Sequence, residues 1–180
     1  MRKITFGGAI SLDNYLARKD DAVDWLRWSN EVSAVMADYW KTIDTILMGR
    51  KTYEVGRRLS KGRSGTPGMT TYVFSRTLQP DSDENVTIVA DDAARFVKQL
   101  KYRNGKDICL MGGGELARPL FEADLIDEVG FNIHPVLLGS GIPAFHQMSR
   151  QINLELVTSR AFKNGCVLVT YRVKHREGAA

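Results

Sequence analysis

Apolar positions along the chain recur in two rhythms. Residues 4–10 (ITFGGAI) form a short apolar run with small residues, which predicts a buried strand. Val32, Val35, Met36, Tyr39, Trp40 and Ile43 are spaced 3, 1, 3, 1, 3, which is one face of a helix. Ser29 or Asn30 is placed to cap it. Residues 45–48 read as a strand ending at Gly49, with a short helix following through Tyr53 and Val55. Two more strands are expected at 71–75 and 86–90, then a helix carrying Phe96, Val97 and Leu100. Asp91 or Asp92 caps that helix, and Asn104-Gly105 ends it.

Residues 108–111 read as another strand, followed by Gly112-Gly113-Gly114 and a helix to about Ala123 that contains Pro119. A strand at 128–133 and a hairpin of 154–162 with 167–173 complete the pattern. Asn164-Gly165 between the last two is a strong two-residue hairpin signal. Residues 11–22 and 60–68 (SKGRSGTPG) read as loops, the second of them mobile. Alternating strands and helices, then strands alone, imply an α/β fold. The expected sheet is mainly parallel, with helices on both faces and an antiparallel C-terminal edge.

Length and charge narrow the function classes. The chain has 180 residues, read as one domain spanning 1–180. Its 25 Lys and Arg against 21 Asp and Glu leave a net charge of +4. The densest basic run, Arg57, Arg58, Lys61 and Arg63, has no interleaved aromatics, so it predicts a solvated loop and no nucleic-acid partner. Cys109 and Cys166 form no C-x-x-C, and His134, His146 and His175 have no short ligand spacing, so no metal is expected. An apolar leader and a membrane-length apolar run are absent, so no membrane partner and a cytoplasmic location are expected.

Three turns at predicted strand ends carry candidate chemistry, because ligands of open α/β sheets bind beyond the carboxyl ends of the strands. In Gly49-Arg50-Lys51-Thr52 a glycine and a helix N-terminus suit an anion, although the Walker A order is absent. Gly112-Gly113-Gly114-Glu115-Leu116 places three conformationally costly glycines where backbone would meet a diphosphate. It does not satisfy G-x-G-x-x-G, and a plain tight turn is the other reading. At Ser75-Arg76 the strand end carries a cation and no carboxylate, which suits a 2′-phosphate.

The ordered set Gly49-Arg50-Lys51-Thr52-Tyr53-Glu54, Ser75-Arg76 and Gly112 to Leu116 resembles the dihydrofolate reductase fold. More closely, the chain resembles the reductase domain of the bifunctional riboflavin-biosynthesis deaminase/reductase and its stand-alone relatives. Ser11-Leu12-Asp13-Asn14-Tyr15-Leu16-Ala17, Leu125-Ile126-Asp127-Glu128 and Pro135-Val136-Leu137-Leu138-Gly139-Ser140-Gly141 match that group. The likeness runs from Ile4 to about Tyr171. It implies a three-layer dihydrofolate reductase-like fold, a homodimer formed through the C-terminal hairpin, and NADPH as hydride donor. Gly49, Arg50, Lys51 and Thr52 would hold its phosphates, and Ser75 and Arg76 its 2′-phosphate. Gly112, Gly113, Gly114, Glu115 and Leu116 would wrap the diphosphate, and Ala9 would present backbone to the carboxamide.

Two positions depart from the pattern. The carboxylate that dihydrofolate reductases carry on the first helix falls near Ser33 here, with Glu31 the nearest acid. Asn14 stands where the related turn has Gly, and Asn tolerates the left-handed conformation, so the turn is expected to hold. The H-x-E…P-C-x-x-C pattern of the zinc deaminase is absent, so no deamination is expected. On the substrate side the candidates are Asp13, Trp25 and Tyr53, with a turn Asp and a core Trp as the other readings. The expected activity is reduction of a small heterocyclic substrate, of the 5-amino-6-(5-phosphoribosylamino)uracil reductase type. A pterin-type reductase and a non-catalytic NADPH-binding regulatory module are the alternatives.

Overall fold

A computed structural model describes residues 1–62, 65–81 and 83–176. Arg63 and Ser64, within the loop expected to be mobile, lie outside the described residues. The elements in chain order are β1 (Ile4–Ser11), β2 (Tyr15–Ala17), α1 (Asn30–Lys41), β3 (Ile43–Gly49), α2 (Arg50–Leu59), β4 (Thr70–Phe74) and β5 (Val86–Val89). They continue as α3 (Ala93–Lys101), β6 (Asp107–Gly112), α4 (Gly114–Glu122), β7 (Glu128–His134), β8 (Ile142–Pro143), β9 (Leu154–Ala161) and β10 (Val167–Val173).

Local chemistry sets several boundaries. Ser29 caps α1 by accepting from the Val32 N–H at 3.2 Å, and Asp92 caps α3 by accepting from Arg95 N–H at 2.8 Å. Ile43, expected at the end of the first helical face, instead opens β3. Thr42 already closes the helix, and Ile43 pairs with Asp107. The expected loop 11–22 contains β2, a three-residue strand that pairs antiparallel with β8. Neither short strand had a visible periodicity, because each exists only through its partner.

The main sheet runs β5-β4-β3-β6-β1-β7-β10-β9. Every pair from β5 to β7 is parallel, and β10 pairs antiparallel with both β7 and β9. Central strands read as continuous apolar runs because both faces are covered. Phe6, Leu47, Leu110 and Ile108 pack under α3 and α4 through Val97, Leu100, Leu120 and Phe121. On the other face Ile46, Met48 and Val73 pack with Tyr53 of α2 and Trp40 of α1. The N-terminal half of α1 closes over the hairpin through Val32, Phe162 and Cys166. This split follows from right-handed crossovers: α1 and α2 connect strands stepping one way along the sheet, α3 and α4 the other way.

That reversal of winding leaves a crevice. Strand β1 pairs with β6 only over Ile4–Phe6, but stays paired with β7 through Ser11. Beyond Phe6 the sheet parts between β1 and β6. Gly8 is exposed in the middle of a strand that is otherwise largely buried, and Ala9 is half-buried.

Candidate functional site

The two glycine turns and the Ser75-Arg76 turn meet at this end of the sheet. Helices α2 and α4 begin at Gly49 and Gly113, and neither has a side-chain cap. Their first N–H groups are therefore left without a capping side chain, next to the positive ends of two helix dipoles. A Cβ on Gly49 would lie 3.7 Å from Gly113 N, and one on Gly112 or Gly113 would lie 3.8 Å from Thr52 Oγ1. The two helix starts are thus side by side, a geometry that fits a diphosphate.

The three consecutive glycines have separate causes. Gly112 adopts φ 125°, which side chains disfavour. Gly113 is the open cap, and its peptide bond to Gly112 is cis. Gly114 is a packing glycine, since a Cβ there would overlap the Ala144 carbonyl oxygen. Glu115 is exposed in the first turn of α4. Leu116 buries its side chain in the core and donates its N–H to Gly113 O at 3.0 Å, so it offers a ligand nothing.

The β4 end is tied to the first turn by Arg50. Its Nη1 donates to Thr77 Oγ1 at 2.8 Å and its Nε to Glu54 Oε1 at 2.7 Å. Ser75 Oγ accepts from the Thr77 and Leu78 N–H groups, so its own proton is left to donate outward. Lys51 and Arg76 are exposed and make no ion pair among the described residues. Ala9 lies on β1 beyond the point where that strand leaves β6.

The substrate-side candidates are placed differently. Asp13 accepts from Ser11 Oγ at 2.6 Å, Leu138 N at 3.1 Å and Gly139 N at 2.7 Å. The Ser11 hydroxyl holds its carboxyl below the usual carboxylate range. Both oxygens are engaged within the fold, which is the turn reading of this residue. Trp25 is buried, edge-on to His134 with ring centroids 5.3 Å apart, and its Nε1 has no partner among the described residues. Tyr53 is buried under α2 and donates its hydroxyl to Asp81, so it anchors the β4–β5 loop. Asn14 adopts φ 65° and the turn holds as expected.

Sequence reasoning passed over His134 and Asn132. His134 Nδ1 accepts from Arg27 N at 3.0 Å, and Asn132 lies 3.2 Å from its Nε2. Burial, then the nearby Arg27 guanidinium, lowers the His134 pKa, so the ring is held neutral. Its position opposite Ser11 depends on a strand pairing across more than a hundred residues, for which the sequence carries no short-range signal.

Helix α1 carries no carboxylate toward the sheet. Glu31 accepts from Lys163 N at 3.2 Å, Asp38 is exposed and pairs with Lys41, and Ser33 is exposed. An open groove of about 610 Å³ beside the C-terminal half of α4, lined by Arg118, Glu122, Gln147 and Ser149, is separate from these turns. Among the described residues no helix is long and apolar enough to cross a membrane.

Comparison with known proteins follows the same lines. The RibD C-terminal domain matches residues 2–168. The uncharacterized protein YwjB of Bacillus subtilis (strain 168) is 35% identical over 167 residues, covering 89% of this chain and 92% of that protein. A putative riboflavin biosynthesis protein from Shewanella sp. PV-4 superposes with a TM-score of 0.80 at 25% identity, covering 97% of this chain and all (100%) of that one. Dihydrofolate reductase from Enterococcus faecalis, solved with NADP(H), superposes with a TM-score of 0.66 at 16% identity, covering 96% and 97%. The fold is dihydrofolate reductase-like.

Proposed function

The chain belongs to the RibD C-terminal domain family, and from that membership we propose that it is an NADPH-dependent reductase of a small heterocycle. The substrate type we favour is a 5-amino-6-(5-phosphoribosylamino)uracil. The carrying observation is the meeting of two uncapped helix starts at Gly49 and Gly113, with Ser75 and Arg76 beside them on a tethered turn. Backbone N–H groups of the two starts would take the diphosphate, and Arg76 with Ser75 the 2′-phosphate. Ala9 would meet the carboxamide at the parting of β1 and β6. When bound, NADPH supplies the hydride, and the protein's part is positioning and exclusion of water.

The absence of a sheet-facing acid on α1 favours this substrate over a pterin, whose reduction is assisted by a carboxylate at that place in dihydrofolate reductases. A homodimer belongs to the same proposal. Strand β9 is one of the two edges of the sheet, opposite β5, and is exposed along its whole length, with Leu154, Leu156 and Val157 at 42%, 55% and 48% exposure. Such an edge invites pairing with another copy.

The test is NADPH oxidation with pyrimidine and pterin substrates side by side. Turnover of the pyrimidine supports the proposal. Turnover of the pterin alone overturns its substrate, and tight NADPH binding without turnover on either favours a regulatory module.

A further inference from the structure

We propose that Asp13 is a positioning residue that acts through Leu16, and that Leu16 roofs the glycine turn of the cofactor site. The inference rests on the cofactor reading above. Three N–H and O–H donors of the chain converge on the Asp13 carboxylate, from Ser11, Leu138 and Gly139. Ser11 Oγ in turn accepts from Tyr15 N at 2.9 Å, which closes the 11–15 turn. Leu12 N donates to Val136 O and Ala144 N to Asn14 O, each at 2.9 Å, and β2 pairs with β8 just beyond. The β1–β2 turn and the 135–144 segment are thereby one unit with Asp13 at its centre.

Leu16 of this unit packs against the core beside the glycine turn. Its Cδ1 lies 3.8 Å from where a Gly112 Cβ would stand, the same distance as Thr52 Oγ1 on α2. Gly112 is therefore approached both by an apolar side chain from β2 and by a hydroxyl from α2. A carboxylate that spends its lone pairs on loop N–H groups has little left for a substrate. What it can do is fix where Leu16 lands, and so how much water reaches the backbone N–H groups at the start of α4. Dry N–H groups hold an anion more strongly than wet ones.

The experiment has two arms. In the unliganded protein, amide exchange at Gly114 and Glu115 is followed in wild type, Asp13→Ala, Asp13→Asn and Leu16→Ala. Faster exchange there in both Asp13→Ala and Leu16→Ala, with Asp13→Asn between wild type and Asp13→Ala, is expected. Exchange at Phe6 should not change. Exchange that rises at Tyr15 but not at Gly114 in the Asp13 variants overturns the proposal. In the second arm NADPH is titrated into the same proteins. Leu16→Ala should weaken binding about tenfold, the loss of a side chain's worth of apolar cover. The double variant should bind no more weakly than Leu16→Ala alone, whereas a general structural role would add its own loss. Wild type that takes no NADPH removes the cofactor reading, while the exchange arm still decides the Asp13–Leu16 coupling. Should Asp13→Ala fail to fold, Asp13→Asn carries both arms.

Discussion

Gly49 and Gly113 face each other at the carboxyl end of the sheet, with a Gly49 Cβ position only 3.7 Å from the Gly113 nitrogen. Two helices that start on different strands thus direct their free N–H groups to one place. Each start alone is an ordinary strand-to-helix turn. Their adjacency is the geometry on which the proposed diphosphate site rests.

Gly49→Ala and Gly114→Ala should separate binding from packing. Gly49 has an ordinary φ of −78° and room for a methyl group, so Ala should cost about 1 kcal/mol or less through the weaker cap. Its methyl would stand between the helix starts and weaken NADPH. Gly114→Ala pushes a methyl into the Ala144 carbonyl and should cost about 1–3 kcal/mol of stability. Urea unfolding and NADPH titration on both variants make the comparison. Equal stability losses would contradict it.

Arg76 should set the preference for NADPH over NADH. Arg50 is committed to Glu54 and Thr77, while Arg76 is exposed without an ion-pair partner among the described residues. A hydrogen bond to a charged group is worth about 1.5–3 kcal/mol, so Arg76→Ala should lose about 10- to 150-fold in NADPH affinity. NADH affinity should hardly move, and the loss should shrink with added salt. Parallel titrations with Arg50→Ala decide which guanidinium it is. Equal losses for both cofactors in Arg76→Ala would remove the assignment.

Stability should fall on mild acidification through His134. Its ring is buried neutral, with Nδ1 accepting from Arg27 N. The folded pKa lies below the ordinary 6.5, so the unfolded state binds the proton first. The contribution is full above about pH 6.5 and is lost as pH falls through the folded value. Carboxylates held low, such as Asp13 and Asp44, act only below about pH 4, so the windows separate. Urea midpoints at pH 5 and pH 8 should differ more in wild type than in His134→Asn, whose Oδ1 stands where Nδ1 does and can still accept from Arg27 N. An equal difference in both would assign the acid sensitivity elsewhere.

Light scattering should give a particle of twice the 20.2 kDa chain mass. Leu156→Glu should return it to a single chain without loss of stability, because Leu156 is 55% exposed within one copy. A wild-type particle of 20.2 kDa would refute the dimer.

Most of the elements, their order and the three turns of the candidate site were legible in the sequence, though β2 and β8 were not. Those signals are local: the helical spacing from Val32 to Trp40, the Asn164-Gly165 turn, and glycines directly after apolar runs. The Ser29 and Asp92 caps were legible for the same reason, since each serves an N–H three residues away. Tertiary structure decided everything that depends on distant pairing. Strands β2 and β8 are too short to exist without each other. The parting of β1 from β6, the separate causes of the three glycines, and the neutral His134 follow from which strand lies beside which. Asp13 shows the difference most plainly. Its residue type suggested a substrate contact, but its partners Leu138 and Gly139 are more than a hundred residues away, and only the fold brings their N–H groups to its carboxylate.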